Sequence, residues 1–184
     1  ARQPALLARN THDTVGLSMC RASWHTANQG RPMSQRLDYM KIGREGYKAF
    51  AGVHRYIAEC GLEEDLVHMV YLRISQINGC GFCVDLHYRD SMACGINPRK
   101  LNSIITWREA PFFSAREEAA FAWAEALTNV AETGAPDCDY DHASEVFDDK
   151  ELVDLTYAIA LMNGFNRLGV GFRNPADAAA GEPV

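Results

Sequence analysis

The sequence predicts an all-α fold, a bundle of about six to seven helices that form one domain. Through most of the chain, apolar residues recur at intervals of three and four, as they do along one face of a helix. No stretch of five residues or more alternates strictly between apolar and polar residues, as a half-buried strand does. The 184 residues, 47% of them hydrophobic, suffice for one domain with a substantial core.

Composition divides the chain into three regions. Residues 1–32 contain four arginines but one acidic residue, and their apolar residues keep no regular spacing. We expect this region to be an N-terminal extension outside the fold, derived from a vector or an upstream reading frame, with an arginine-rich transit peptide as the alternative. Residues 33–175 are the predicted helical domain, and residues 176–184 are a predicted loose tail of mostly small residues.

The first half of the domain contains three predicted helices. They cover residues 36–60, 63–78 and 80–94. Gly61, Gly79 and Gly95 follow them as stop signals, because glycine readily ends a helix. The second helix opens on three acidic residues, which suit the positive end of a helix dipole.

The second half of the domain contains four more predicted helices. They cover residues 98–105, 114–132, 139–147 and 148–165, with a connection over residues 107–113. Pro98 suits a first helical turn, and Ser114 with Glu117 forms a capping-box pattern. Asp148 or Asp149 is the expected cap of the last helix.

Charge and cysteine content exclude several classes of protein. The formal net charge of −6 argues against a nucleic-acid partner, because phosphate binding needs a basic surface. Six cysteines are too few for a disulfide scaffold, and two of them form a close pair, which favours a reducing, cytoplasmic compartment. No run of about 18 apolar residues occurs, so we expect no membrane span.

The densest chemistry lies in the stretch Ser75-Gln-Ile-Asn-Gly-Cys-Gly-Phe-Cys-Val-Asp-Leu-His87. Because Asn78-Gly79 ends one helix, Cys80 and Cys83 fall in the first turn of the next, where unpaired N–H groups lower a thiol pKa. His87 lies four residues after Cys83, on the same helical face, and can take its proton. We therefore predict that Cys83 attacks the substrate, His87 is its base and Cys80 closes a disulfide.

Two alternatives to a redox role stay open for the cysteine pair. The first is a zinc site, which needs four ligands, usually with a second Cys or His pair, and the sequence has no second pair of that kind. Cys60, Cys94, His68 and His142 could complete such a site only if the fold brought them together. The second alternative is a purely structural pair.

Two further residues are candidate members of the site. Glu125 is the single charged residue in the apolar stretch 119–127. If it is buried beside the cysteines, its pKa would be raised and it could shuttle protons; the alternative is an exposed position on a narrow polar stripe. His68, twelve residues before Cys80, could join a proton relay or be a partly exposed helix residue. The cluster 163–167 favours a structural role at the end of the last helix.

The segment from Leu72 to His87 resembles the core of the carboxymuconolactone decarboxylase-like superfamily, and it is most similar to the alkylhydroperoxidase D (AhpD) type that carries the Cys-x-x-Cys motif. Residues 107–114 and 121–128 and the pair Asn166-Arg167 are similar to that group as well. The resemblance extends from about Leu37 to Phe172.

This resemblance implies an AhpD-like helical bundle that assembles as a homo-oligomer, either a dimer, a trimer or a hexamer. It implies thiol-dependent peroxidase or disulfide-reductase activity without a metal or flavin cofactor. By resemblance, Cys83 is the peroxidatic cysteine, Cys80 is the resolving cysteine, and His87 matches the histidine that follows the second cysteine in the family.

Two positions depart from the family pattern. The founding enzymes have a glutamate twelve residues before the first cysteine and a histidine just before the second, where this chain has His68 and Phe82. Either Glu125 and His68 rebuild the proton relay from other helices, or the hydroperoxidase activity is weak.

These observations predict a hydroperoxidase that reduces a small hydroperoxide and is recycled by an unidentified dithiol or lipoyl-bearing donor. The first alternative is a thiol–disulfide oxidoreductase of the same fold with a non-peroxide substrate. The second is a decarboxylase, lactone-processing or binding protein on the same scaffold. The decarboxylase branch typically lacks the cysteine pair, so Cys80 and Cys83 argue against it.

Overall fold

The computed structural model describes residues 34–176, and its regular structure is entirely helical. The predicted N-terminal extension and all but the first residue of the predicted tail lie outside the described residues. The α-helices of the described region are Tyr39–Ile42 (α1), Arg44–Glu59 (α2), Glu64–Asn78 (α3), Gly81–Ala93 (α4), Pro98–Ser103 (α5), Ala115–Thr128 (α6), Val130–Thr133 (α7), Asp137–Ser144 (α8) and Asp149–Phe172 (α9). A 3₁₀ helix, Ile104–Glu109, follows α5.

The predicted all-α fold is confirmed, and several predicted boundaries are wrong: besides those that follow, the predicted helix 36–60 is two helices, Tyr39–Ile42 and Arg44–Glu59, and the predicted helix 139–147 is Asp137–Ser144. Helix α9 continues to Phe172 and ends where Arg173 adopts φ 55°. The helix predicted to reach residue 132 is interrupted at Asn129, whose backbone leaves the helical conformation (φ −101°, ψ 29°). Part of the predicted connection over residues 107–113 belongs to the 3₁₀ helix.

Helices α3 and α6 form the centre of the bundle, because they are buried on most of their circumference. Their buried apolar residues are Leu66, Val67, Met69, Val70, Tyr71, Leu72 and Ile74 in α3, and Ala119, Ala120, Phe121, Ala122, Trp123, Ala124 and Ala126 in α6. The many alanines of α6 let its neighbours approach closely. Within residues 34–176, no helix is both long and apolar enough to cross a membrane.

One arginine joins the N-terminal ends of three helices. Arg116, in the first turn of α6, pairs with Glu63 at the start of α3 (Nε–Oε1 2.9 Å) and with Glu151 at the start of α9 (Nη2–Oε1 2.6 Å). Glu151 also completes a capping box with Asp148, as Glu117 does with Ser114. The predicted capping residues are therefore confirmed, and they fix one end of the bundle.

Buried amides hold α9 against α3 at the other end of the bundle. Asn166 is fully buried and donates to Ser75 Oγ (3.1 Å), while the Asn78 amide donates to Asn166 Oδ1 (3.0 Å) and to Asn163 Oδ1 (3.0 Å). The cluster lies inside α9, not at its end, so the expected position is wrong, and its amides connect α9 to α3. The Asn163 amide also donates to the carbonyl of Ile159 within α9 (3.0 Å), and the helix continues through the cluster to Phe172.

Replacing Asn166 tests this network. We expect Asn166→Ala to lower the free energy of unfolding by about 2–3 kcal/mol, because it leaves buried partners of α3 unsatisfied. Asn102→Ala is a matched control, since Asn102 is exposed in α5, and we expect a change within about 0.5 kcal/mol. Urea unfolding of the disulfide form measures both. Equal effects of the two substitutions would contradict the proposed importance of the network.

Candidate active site

The turn between α3 and α4 positions the two cysteines. Gly79 adopts a left-handed conformation (φ 65°) that ends α3, and Cys80 then caps α4, with its N–H donating to the carbonyl of Ser75 (3.0 Å). Helix α4 begins at Gly81, one residue later than predicted. Cys83 is the third residue of the helix and lies in its first turn, as the sequence indicates.

Cys80 and Cys83 form a disulfide in the structure, with their Cα atoms 5.3 Å apart. Both residues are buried, at 2% and 5% exposure. Gly169 of α9 lies directly against the pair: a Cβ atom at Gly169 would be 2.9 Å from Cys80 Sγ and 3.7 Å from Cys83 Sγ. The disulfide is therefore enclosed on one side by the backbone of α9.

A cavity of about 260 Å³ lies on the other side of the pair, and Cys83 and His87 both line it. Among the described residues, Cys80 is not part of its wall. Most of the remaining wall is apolar and comes from α1, α2, α4 and α9, including Tyr39, Met40, Tyr47, Phe82, Leu86 and Phe165. The cavity can admit a small apolar molecule, and of the two cysteines Cys83 is the one that lines it.

His87 is buried, at 4% exposure. Its Nδ1 lies 3.5 Å from Oδ2 of Asp90, one turn further along α4, and has no hydrogen-bond partner within the described residues. Its ring centroid lies 5.0 Å from that of Tyr71. Burial first, and then the nearby His68 and His54, lower the pKa of His87 to about 3, so the imidazole is neutral in this disulfide form.

The structure places His68 next to His87 and Asp90. Its ring centroid lies 5.8 Å from that of His87, and its Nδ1 lies 3.9 Å from Asp90 Oδ2. Its Nε2 lies 3.7 Å from the exposed carboxylate of Glu64. His68 and His87 therefore share Asp90 as a common acidic neighbour, which gives the predicted relay a geometric basis; its use in catalysis stays a prediction.

The environment of Glu125 differs from both predicted environments, which were a buried position beside the cysteines and an exposed polar stripe. Its side chain is 14% exposed, and it accepts hydrogen bonds from Arg73 Nε (2.7 Å), from Trp107 Nε1 (2.9 Å) and from Arg108. Burial alone would raise the pKa of Glu125, but the hydrogen bonds from Trp107, Arg108 and Arg73 outweigh it, so the pKa is lowered. The expected raised pKa and the exposed polar stripe are both wrong.

This ion-paired carboxylate links α3, α6 and the 3₁₀ helix, since Arg73 belongs to α3 and Trp107 and Arg108 to the 3₁₀ helix. Glu125 is not among the residues that line the cavity. Its position favours a structural role, and its place in a proton relay stays a prediction.

Two residues of the site escaped the sequence prediction. Asp90 lies three residues after His87 in α4, and the same helical spacing that identified His87 would have identified it. Gly169 lies 86 residues after Cys83 in the sequence, and no local pattern separates it from Gly164 and Gly171 in the same helix.

The described residues give little support to a zinc site. Two groups bring three possible ligand atoms within 4.8 Å of one another: Glu64, His68 and Cys94, and His68, His87 and Asp90. Neither group includes Cys80 or Cys83, which are bonded to each other. Each group also has one residue fewer than the four ligands of a structural zinc site.

The fold and site together define a class of protein: an all-α bundle with a buried Cys-x-x-Cys disulfide and a nearby histidine. Comparison with known proteins assigns the chain to a family. The chain belongs to the carboxymuconolactone decarboxylase family, whose sequence profile matches residues 44–126. The uncharacterized protein YdfG of Bacillus subtilis (strain 168) is 31% identical over 144 residues, which cover 78% of this chain and 98% of YdfG. The resemblance identified from the sequence is thereby confirmed.

Solved structures of similar proteins support the AhpD-like fold. ATU0492 of Agrobacterium tumefaciens, a protein of unknown function for which an AhpD-type antioxidant defence role has been suggested, is 39% identical, with a TM-score of 0.77 over 79% of this chain and 99% of its own. The debrominase Bmp8 is 19% identical, with a TM-score of 0.69 over 76% of this chain and 75% of its own. At this identity, the similarity to Bmp8 supports the fold alone.

The lowered pKa of His87 predicts how stability depends on pH. The unfolded chain binds a proton on His87 below its ordinary pKa of about 6.5, whereas the folded protein does so only near pH 3, so stability falls as the pH falls between these values. From about pH 8 to about pH 5, this one group should remove about 2 kcal/mol. In His87→Gln we expect that share of the loss to disappear.

Urea unfolding of the disulfide form across this pH range measures the effect. His142→Gln is a suitable control, because His142 lies on an exposed part of α8. If wild type and His87→Gln lost stability in parallel, the inference that His87 is buried in its neutral form would be wrong.

Proposed function

We propose that the protein is a thiol-dependent hydroperoxidase that reduces small apolar hydroperoxides. One observation carries the proposal: Cys83, of the two bonded cysteines, lines an apolar cavity next to His87. A nucleophilic sulfur needs access to its substrate and a nearby base, and Cys83 has both. The family assignment and the suggested antioxidant role of ATU0492 support the same chemistry.

The reaction begins from the reduced pair. The Cys83 thiolate attacks the terminal peroxide oxygen, a sulfur–oxygen bond forms, and the oxygen–oxygen bond breaks, which leaves Cys83 as a sulfenic acid. The departing alkoxide takes a proton and leaves as an alcohol. The aromatic and aliphatic wall of the cavity favours the organic part of the substrate over bulk water.

His87 is the proposed base for the Cys83 thiol. In the disulfide form burial, with His68 and His54 nearby, lowers the pKa of His87. Reduction places an ionisable thiol one helical turn away, and a thiolate there would raise the histidine pKa while the imidazolium lowers that of the thiol. We propose that Asp90, 3.5 Å from Nδ1, orients the ring so that its other nitrogen serves Cys83.

Cys80 completes the cycle as the resolving cysteine. Its thiolate attacks the sulfur of the Cys83 sulfenic acid, the disulfide forms, and hydroxide leaves and is protonated to water. An external dithiol or lipoyl-type donor then reduces the disulfide and is itself oxidised to a disulfide. We also propose a homo-oligomeric assembly, consistent with the exposed apolar residues Val53, Tyr56, Val153 and Tyr157 along α2 and α9.

Thiol titration tests the proposed reaction. Adding cumene hydroperoxide to the reduced protein should consume two thiols per chain and form the Cys80–Cys83 disulfide, identified by mass spectrometry of alkylated peptides. Cys83→Ser should abolish the reaction, and Cys80→Ser should accumulate a sulfenic acid on Cys83 that dimedone traps. Cys138→Ser is a control, because Cys138 is an exposed thiol outside the site.

The outcome that would reject the proposal is slow oxidation at the rate of a small free thiol. If the pair resisted peroxides but exchanged rapidly with disulfides, the alternative of a thiol–disulfide oxidoreductase would stand. If reduced Cys83 instead removed bromide from a halogenated pyrrole, a reductive dehalogenase would be favoured, an activity that Bmp8, a debrominase of the same fold, makes worth assaying.

The roles of His87 and Asp90 are tested by the pH dependence of peroxide attack. We expect His87→Gln to slow the reaction of reduced Cys83 by about 10²-fold near neutral pH, where a positioned base contributes most. Asp90→Asn should slow it by about tenfold and shift the pH profile, because the ring keeps its place but loses its orienting acceptor. Stopped-flow measurement with cumene hydroperoxide gives both values.

Glu125→Gln completes this series. Because Glu125 is held by two arginines and a tryptophan, we expect this substitution to lower stability but to leave the pH profile of Cys83 unchanged. A shifted profile in Glu125→Gln would restore Glu125 to the relay. An unshifted profile in Asp90→Asn would remove Asp90 from it.

A further inference from the structure

The absent side chain of Gly169 leaves a space beside the disulfide. Gly169 lies inside helix α9 with an ordinary helical backbone, so no special backbone conformation requires a glycine there. A glycine inside a helix is less favourable than alanine, which implies that the missing side chain serves a purpose. The atoms that fill this space are Cys80 Sγ and, further away, Cys83 Sγ.

The surroundings prevent the space from widening. Asn166, one turn before Gly169, is fixed to Ser75 and Asn78 of α3, and the N–H of Cys80 donates to the carbonyl of Ser75. The backbone of α9 and that of the cysteine turn are thus connected by the same buried hydrogen bonds. A side chain at residue 169 could not be accommodated by moving one helix away from the other.

We infer that Gly169 is a positioning residue for the redox pair. The space beside its Cα holds the Cys80 sulfur in the disulfide, and this space matters more for the disulfide than for the dithiol. In the disulfide the sulfur of Cys80 is fixed by its bond to Cys83 and cannot avoid a methyl group 2.9 Å away. In the dithiol, Cys80 is free to rotate to another side-chain conformation. The inference rests on the proposed function only in treating this disulfide as one that forms and breaks.

Gly169→Ala should therefore make the disulfide less stable relative to the dithiol. We expect the equilibrium constant for forming the Cys80–Cys83 bond to fall about tenfold, equal to about 30 mV for a two-electron couple. Equilibration in dithiothreitol redox buffers, with peptide-level alkylation and mass spectrometry, measures this constant. It needs no peroxide, so it stays informative even if the protein is not a peroxidase.

Two glycines of the same helix provide matched controls. A Cβ at Gly171 would contact no atom within 4 Å, so Gly171→Ala should leave the constant within about twofold of wild type. A Cβ at Gly164 would lie 2.6 Å from Cε1 of Phe50, so Gly164→Ala crowds α9 at a point away from the cysteines. An equal shift in Gly164→Ala and Gly169→Ala would overturn the inference, as would an unchanged constant in a folded Gly169→Ala.

A second comparison of variants tests the inference if Gly169→Ala does not fold. In a Cys80→Ala background the nearest sulfur is absent, so adding Gly169→Ala should restore a folded protein with an unfolding midpoint close to that of Cys80→Ala alone. If the double variant were as unstable as the single Gly169→Ala protein, the crowding would not involve Cys80 and the inference would be wrong. The circular dichroism melting curve measures this.

Discussion

The close packing of α9 on the turn between α3 and α4 is the constraint on which the site depends. Buried amides from Asn166 and Asn78 fix the two backbones, and the absent side chain of Gly169 lets the disulfide fit between them. Both cysteines are buried, and of the two Cys83 is the one that lines the cavity. The difference between two cysteines three residues apart thus comes from a helix that begins more than 60 residues later in the chain.

Two acid–base groups show how partners decide the charge of a buried group. Burial, and then the nearby His68 and His54, lower the pKa of His87, whose Nδ1 has no hydrogen-bond partner within the described residues. Glu125 is also largely enclosed, yet two arginines and a tryptophan donate to it and lower its pKa. His87 is therefore neutral in the disulfide form, whereas Glu125 is held in its ionised form and connects helices.

The sequence was sufficient for the features that local signals encode. The caps at Ser114 and Asp148, the break at Gly79 and the helical register of Cys83 and His87 all depend on residues within one or two turns. The end of α9 was predicted too early because the polar cluster around Asn166 is indistinguishable in sequence from an exposed cap. The partners of Glu125 and the neighbours of Gly169 could not be predicted from the sequence, because contacts between helices that are distant in the chain determine them.

The one-sided exposure of the disulfide also has a kinetic consequence. With α9 against Cys80, the cysteine that lines the cavity is again Cys83 when a reductant enters. Under the proposed function, oxidant and reductant would then enter the same cavity at different times, and each would exclude the other. Such an enzyme would follow substituted-enzyme kinetics, with parallel double-reciprocal plots and inhibition by an excess of either substrate.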